Sequence, residues 1–128
     1  LFCCYTEKMV NDIFKILTPQ EWESASSNGL IVTDLDQRDG FIHLSNSKQL
    51  AATLAFYFSE HDKVMLLQIN LESVKEKLVY EPTKQGDRRS GEFAHLYDEL
   101  KVANVLKQWT LERGSFTLPE DIVLETEK

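Results

Sequence analysis

The chain has 128 residues, 42% of them hydrophobic and 27% charged, a balance typical of one globular domain that buries its own core. Its formal net charge of −7 argues against general binding to nucleic acids or anionic membranes, although a local basic patch could hold one anion. No apolar run in the sequence approaches the roughly 20 residues that a membrane-spanning helix needs.

The amino-terminal segment carries the only two cysteines, Cys3 and Cys4, side by side. Two neighbouring cysteines form neither a disulfide framework nor a zinc site, so we expect a reducing, cytoplasmic setting. We predict a flexible extension over residues 1–10, a single cleft domain over 11–124 and a frayed tail over 125–128. The sequence makes no prediction of the oligomeric state.

The first predicted elements are a strand and a helix. Residues 13–17 are mostly apolar and predict a strand. Thr18 offers a hydroxyl N-cap, Pro19 suits the first helical position, and Glu21 can complete a capping box. Gly29 is a good stop for this helix.

The next segments alternate between polar and apolar. Residues 30–32 predict a brief strand, and residues 33–40 are polar and end in an Asp-Gly turn signal. Residues 41–44 predict a buried strand, and residues 45–47 supply N-caps for a second helix. The apolar positions of residues 50–58 form a stripe at helical spacing.

The second half of the chain predicts mostly strands. Residues 64–69 are nearly all apolar and predict a central strand that is covered on both faces. Residues 78–81, 92–97 and 105–111 predict further strands, and residues 98–104 predict a connector. This order of elements predicts an α+β domain with a mostly antiparallel sheet and two early helices.

One histidine lies in an apolar frame at residues 40–45, which read Gly-Phe-Ile-His-Leu-Ser. The period-two alternation of a strand puts Phe41, His43 and Ser45 on one face. This face ends where the strand passes into a predicted helix N-terminus, whose free N–H groups favour an anion or a ribose phosphate.

A second histidine lies in a similar frame at residues 92–97, where His95 and Tyr97 share a face. Pairing the two strands, or setting them across one cleft, would bring His43 and His95 together. Such a pair can bind ribose hydroxyls or shuttle a proton. Buried structural histidines and a metal enzyme are the alternatives, and no metal is predicted because no third ligand is evident.

Charged residues near these frames are further candidates. Residues 82–92 form a polar loop in which Arg88 and Arg89 could bind a phosphate, the alternative being solvated surface. Glu81 at a strand end and Lys15 in the first strand are candidate cleft residues, or else ordinary exposed side chains.

Taken in order, these residues resemble the small bacterial-type family called domain of unknown function 952, over residues 13 to about 123. The most specific piece is the Gly-Phe-Ile-His-Leu-Ser string, followed by Phe-Ala-His-Leu-Tyr at residues 93–97. Ala94 replaces the usual proline, and Asp98 replaces the usual glycine. Other matching positions are Ile13, Phe14, Lys15, Ile16, Trp22, Gly29, Asp39, Gln49, Leu66, Leu67 and Glu81.

By remote similarity that family is grouped with the ADP-ribosyltransferase-like fold, in which a split, mostly antiparallel sheet forms a cleft for NAD. The resemblance implies that His43 lies on a cleft strand, in a His-Leu-Ser string similar to that of the NAD-using RNA 2′-phosphotransferases. It implies that His95 lies near the position where active relatives have a catalytic glutamate. At the position of Lys15, active relatives often have histidine or arginine. This chain has no glutamate clearly matched to that role.

We therefore expect an ADP-ribosyltransferase-like domain that binds NAD or a related ADP-ribose nucleotide, with transferase chemistry left open. The catalytic candidates are His43 and His95. The ligand-binding candidates are Phe41, Ser45, Glu81, Arg88, Arg89, Tyr97 and Lys15. The alternative is a non-catalytic module that binds a small metabolite or a protein.

Overall fold

The computed structural model describes residues 11–82, 91–112 and 122. Within these ranges the chain forms four α-helices and eight β-strands, with three short 3₁₀ helices between them. In chain order the elements are β1 Phe14–Leu17, α1 Pro19–Asn28, β2 Leu30–Ile31, α2 Asp34–Asp39, β3 Ile42–His43, a 3₁₀ turn Ser47–Gln49, α3 Leu50–Tyr57, β4 Lys63–Ile69, α4 Leu71–Val74, a 3₁₀ turn Lys75–Lys77, β5 Leu78–Pro82, β6 Glu92–Leu96, β7 Leu100–Lys101, a 3₁₀ turn Val102–Asn104 and β8 Val105–Glu112.

The strands of the described ranges form three antiparallel sheets, which confirms the predicted α+β class and antiparallel pairing. One sheet has the order β1-β4-β8, a second has the order β3-β6-β5, and β2 pairs with β7. A bridge between Phe14 and Ser45 joins the two larger sheets, with N–H···O bonds of 2.7 and 2.9 Å. The strand that carries His43 is therefore attached to both.

The central strand β4 is buried on both faces, as predicted for residues 64–69. Val64 and Leu66 pack with Phe14, Leu50 and other side chains of one apolar cluster. Met65, Leu67 and Ile69 alternate with them and belong to a second cluster with Leu17, Ala25, Ile42 and Leu96. The second cluster lies beneath β3 and β6, so it supports the strands that carry the two histidines.

The first helix begins and ends as its sequence predicts. The Thr18 hydroxyl accepts a hydrogen bond from Glu21 N, and the Glu21 carboxylate accepts one from Thr18 N, which completes the capping box. Gly29 closes the helix with φ of 85°, a backbone conformation that glycine adopts at low cost. None of the helices in the described ranges is long and apolar enough to cross a membrane.

Two segments differ from their predicted local structure. Residues 33–40, described from the sequence only as a polar segment that ends in a turn signal, contain helix α2, because a second capping box starts it at Thr33 and Gly40 ends it. Residues 98–104 are more than a connector, because β7 pairs with β2 there and a 3₁₀ turn follows. Three early helices therefore precede β4, where the sequence predicted two.

Two further predictions hold only in part. The first histidine strand, predicted over residues 41–44, is confined to Ile42–His43. In α3, Leu50 and Leu54 are buried as predicted, whereas Ala51 is exposed. The predicted extension, the predicted tail and the loop that carries Arg88 and Arg89 lie outside the described residues.

Candidate functional site

The two histidines lie directly opposite each other in the pairing of β3 with β6. Their ring centroids are 5.6 Å apart, and the rings meet edge to face. The ring of Phe41 stacks on His95 at 4.0 Å and lies 4.5 Å from His43. Tyr97 completes the group, with its ring 5.4 Å from Phe41. The structure thus brings together four of the predicted site residues, and we call them the histidine face.

Both ring nitrogens of His43 contact carboxylates. Nδ1 lies 2.7 Å from Asp36 Oδ1, and Nε2 lies 2.9 Å from Asp39 Oδ2. These contacts, one to each ring nitrogen, fix the orientation of the His43 ring and leave neither nitrogen free for a ligand.

Asp36 is the buried centre of this arrangement. Its carboxylate accepts hydrogen bonds from Lys15 Nζ at 3.0 Å, from the backbone N–H of His43 at 3.0 Å and from Thr33 N at 2.9 Å. Burial by itself raises the pKa of Asp36, but the hydrogen bonds from His43 and the charge of Lys15 outweigh it and hold that pKa well below its usual range. Asp36 is thus an ionised, buried anchor for the His43 ring.

Helix α2 positions both carboxylates that hold His43. Asp36 and Asp39 are three residues apart, so they lie on the same side of the helix. The Thr33 hydroxyl accepts a hydrogen bond from Asp36 N at 3.2 Å, and Gly40 ends the helix at φ of 83°. Neither aspartate was predicted from the sequence as a site residue, although Asp39 is among the positions that match the family. The signal that could have found them is the Thr33-to-Asp36 capping spacing followed by a terminal glycine.

Replacing Thr33 with alanine tests whether the cap of α2 holds His43 in place. We expect the free energy of unfolding to fall by about 1 kcal/mol, because the first turn of α2 loses its capping bond. The imidazole NMR signals of His43 should shift as well, because Asp36 moves with that turn. Thr18→Ala is the matched control, since it removes the same motif from α1. Thr18→Ala should destabilise the fold to a similar extent and leave the His43 signals in place. Equal shifts of the His43 signals in both variants would contradict the role of α2 in holding His43.

His95 has a different environment from His43. Its Nδ1 lies 2.7 Å from Glu81 Oε1, and the same oxygen accepts a hydrogen bond from the Tyr97 hydroxyl at 2.7 Å. The hydrogen bonds from Tyr97 and His95 lower the pKa of Glu81, and the bond to Glu81 raises the pKa of Tyr97. Within the described ranges, no side chain or backbone group forms a hydrogen bond with His95 Nε2. Of the two imidazoles, His95 is the one with a nitrogen available to a ligand.

The remaining predicted site residues lie at the margin of the histidine face or beneath it. Lys15 is buried, and its ammonium donates to Asp36 and to the carbonyl of His43 at 3.0 Å, so it supports the site from below. Ser45 is also buried, with its hydroxyl 3.5 Å from that of Thr53. Neither side chain is positioned to reach a ligand over the rings. Arg88 and Arg89 lie outside the described residues.

A shallow groove of about 500 Å³ adjoins the histidine face. It shares Phe41, Asp36 and Tyr97 with the site, and its other walls come from β2, α2 and the segment that follows β6. Leu30 and Val32 contribute exposed apolar surface to it, while Asp98 and Glu99 give it an acidic side. The two histidine rings do not line the groove, so Phe41 and Tyr97 separate two adjacent surfaces.

The family model described as "Protein of unknown function (DUF952)" matches residues 16–108. The chain belongs to this family. The match includes His43 and His95, the two aspartates that contact His43, Glu81 and Tyr97. The histidine face is therefore part of the region that defines membership of the DUF952 family, and the resemblance seen in the sequence is confirmed.

Two solved structures of one protein, CC0527 from Caulobacter crescentus, are similar to this chain. The crystal structure is 35% identical, with a TM-score of 0.70, and the match covers 78% of this chain and 85% of that one. The solution NMR structure is 34% identical, with a TM-score of 0.68, and the match covers 80% and 86%. The comparison with curated proteins gives no match.

The described part of this DUF952 domain contains no group of three or more histidine, cysteine, aspartate or glutamate side chains arranged to hold a metal ion. The carboxylates near the histidines instead contact the rings directly: Asp36 and Asp39 contact His43, and Glu81 contacts His95. What the site offers to a ligand is one available imidazole nitrogen, a tyrosine hydroxyl, a carboxylate and two aromatic rings.

Proposed function

We propose that this domain binds NAD or a related ADP-ribose nucleotide at the histidine face, in a cleft of the ADP-ribosyltransferase-like kind. The observation that carries the proposal is the direct pairing of His43 with His95, with a carboxylate behind each ring. Strand pairing alone would place two side chains together. The carboxylates additionally fix the direction in which each imidazole points.

The chemistry of the available groups fits a ribose. His95 Nε2 can accept a hydrogen bond from a ribose hydroxyl, and the Glu81 carboxylate, half-exposed, can accept another. The rings of Phe41 and Tyr97 offer flat apolar surface to a nicotinamide or adenine ring. The adjoining groove gives room for a second ring, so a ligand with two aromatic ends could lie on both sides of the Phe41–Tyr97 pair.

The negative charge beside the histidine face also favours the nicotinamide end of NAD. Glu81 places negative charge next to His95, which suits the cationic pyridinium ring of NAD. The phosphates need a cationic partner, and Arg88 and Arg89 fill that role in the proposal on sequence grounds alone. Lys15 contributes by holding Asp36.

Titration calorimetry tests this proposal with NAD, ADP-ribose and an RNA oligonucleotide that ends in a 2′-phosphate. We expect saturable binding of NAD and ADP-ribose. His95→Ala should weaken it at least about tenfold, or about 1.4 kcal/mol, because the available imidazole nitrogen is lost. His61→Ala is the control, since His61 lies beyond α3 and packs against Phe58. No heat with any of the three compounds would overturn the proposal, as would equal weakening by both variants.

A second candidate function is a non-catalytic module that binds a small metabolite or a protein. The observation that favours it is the holding of His43 by two carboxylates, which leaves one imidazole for chemistry. It predicts ligand binding without any turnover. Product analysis after prolonged incubation of the protein with NAD distinguishes the two functions.

A further inference from the structure

The contacts of His95 have the geometry of a general base and its supporting carboxylate. Glu81 Oε1 lies 2.7 Å from His95 Nδ1, and the Tyr97 hydroxyl donates to the same oxygen at 2.7 Å. Phe41 stacks on the imidazole at 4.0 Å with an interplanar angle of 24°, which restricts rotation of the ring. The His95 side chain is 12% exposed, and its Nε2 forms no hydrogen bond with any other residue that the structure describes.

The carboxylate also decides which nitrogen carries the proton. Hydrogen bonds from Tyr97 and His95 hold the pKa of Glu81 below its ordinary value, so this carboxylate is ionised at neutral pH and only accepts. The shared proton therefore lies on His95 Nδ1. The lone pair of Nε2 is then directed away from Glu81 and can accept a proton from a bound hydroxyl or water.

The second imidazole cannot serve as the matching acid. His43 contacts Asp36 at 2.7 Å and Asp39 at 2.9 Å, so both of its ring nitrogens are already engaged by carboxylates. Transfer of a proton from His43 to a substrate would require one of these contacts to break. The site thus supplies one base and no acid, which suits a leaving group that departs without needing a proton.

We propose that His95 is the general base for attack of water on the ribose carbon of a pyridinium riboside such as NAD, and that Glu81 is its positioning residue. The proposal rests on the proposed function, since it requires NAD to bind at the histidine face. It names a reaction, hydrolysis of the bond between C1′ and the pyridinium nitrogen. Tyr97 supports it by holding the same Glu81 oxygen.

The step balances with these groups alone. His95 Nε2 takes one proton from water as the water oxygen forms a bond to C1′. The bond between C1′ and the ring nitrogen breaks, and its electron pair stays on that nitrogen. The ring was cationic and therefore leaves as neutral nicotinamide, with no proton required. His95 then releases its proton to solvent, and ADP-ribose is the second product.

The charges around the histidine face favour the same step. C1′ gains positive charge as the bond to the leaving group lengthens, and a nearby carboxylate lowers the energy of that charge. Glu81 is the carboxylate next to His95, and its side chain is 36% exposed. Glu81 thus has two effects, on the orientation of His95 and on the charge at C1′.

The experiment measures NAD affinity by calorimetry and nicotinamide release by chromatography, on the wild-type chain and three variants. The wild-type chain should bind NAD and release nicotinamide. His95→Ala should reduce the rate of release at least about 100-fold, the contribution expected of a general base. Glu81→Gln should reduce it at least about tenfold while NAD affinity changes less. Glu92→Gln is the matched control, because Glu92 is an exposed glutamate on the same strand as His95, and it should release nicotinamide at the wild-type rate.

A spectroscopic readout separates positioning from a merely structural effect. In ¹⁵N NMR spectra, His95 should have a protonated Nδ1 and an unprotonated Nε2, and Glu81→Gln should alter this distribution while Glu92→Gln does not. His95→Gln replaces His95→Ala if the alanine variant fails to fold. NAD binding without nicotinamide release overturns the hydrolysis proposal and leaves the proposed function standing. No NAD binding overturns the proposed function itself. Nicotinamide release by Glu81→Gln at the wild-type rate, or an unchanged His95 spectrum in that variant, overturns the role of Glu81.

Discussion

Asp36→Asn is expected to lower the free energy of unfolding by about 3–5 kcal/mol, the effect of removing one member of a buried ion pair. The side chains of Lys15 and Asp36 are 5% and 1% exposed, and the ammonium lies 2.9 Å from Asp36 Oδ2. An asparagine keeps the shape of the side chain but not the charge. The Lys15 ammonium would then be buried without a counter-ion. Urea denaturation followed by circular dichroism measures the loss.

Lys15→Met and the double variant complete this test as a thermodynamic cycle. Lys15→Met should cost less than Asp36→Asn, because His43 and Thr33 still donate to Asp36. The double variant should lose less free energy of unfolding than the two single variants lose together, by at least about 1 kcal/mol. The reason is that it contains no uncompensated buried ammonium. Simple additivity of the two losses would contradict a direct ion pair between these side chains.

The same carboxylate is expected to make the fold sensitive to acid. The pKa of Asp36 lies below its ordinary value of 3.8, so between the two values the unfolded chain binds one more proton than the folded chain. Stability therefore rises with pH through this window and is lost as pH falls, with a slope that approaches about 1.4 kcal/mol per pH unit for this one group.

Urea denaturation between about pH 6 and pH 3 measures this dependence, with the Asp36→Asn/Lys15→Met double variant as the control. The double variant lacks the carboxylate, so its stability should fall less steeply below about pH 4.5. The contribution of Glu81, whose pKa is also lowered, remains in both proteins and cancels in the comparison. Identical slopes for the two proteins would contradict the assignment of the acid sensitivity to Asp36.

The sequence predicted the parts of the fold that depend on local patterns. The apolar run of β4 identified a strand covered on both faces, and Thr18 with Glu21 identified the start of α1. Helix α2 was missed because its six residues are almost all polar, so no apolar stripe marks it. The short pairing of β2 with β7 was missed because two-residue strands leave no periodic pattern.

The candidate site was predicted in outline and not in its supporting contacts. Matching alternation in the two histidine frames placed His43 and His95 on equivalent faces, and the structure pairs them directly. The partners of the two rings come from elements distant in the sequence or from the unrecognised helix. Burial of Lys15 with Asp36 is a tertiary contact across 21 positions, which a single sequence does not reveal. This is why Lys15 was predicted as a ligand-binding residue, whereas its ammonium is held inside the protein.

The central claim is that the paired histidines form a ligand site, and ¹H–¹⁵N NMR of the three imidazoles during an ADP-ribose titration tests it most directly. The chain has three histidines, so His61 beyond α3 serves as an internal reference. We expect saturable shifts of the His95 and His43 signals, largest at His95 Nε2, while the His61 signals stay in place. Shifts confined to His61, or no shift of any imidazole at saturating ADP-ribose, would contradict it.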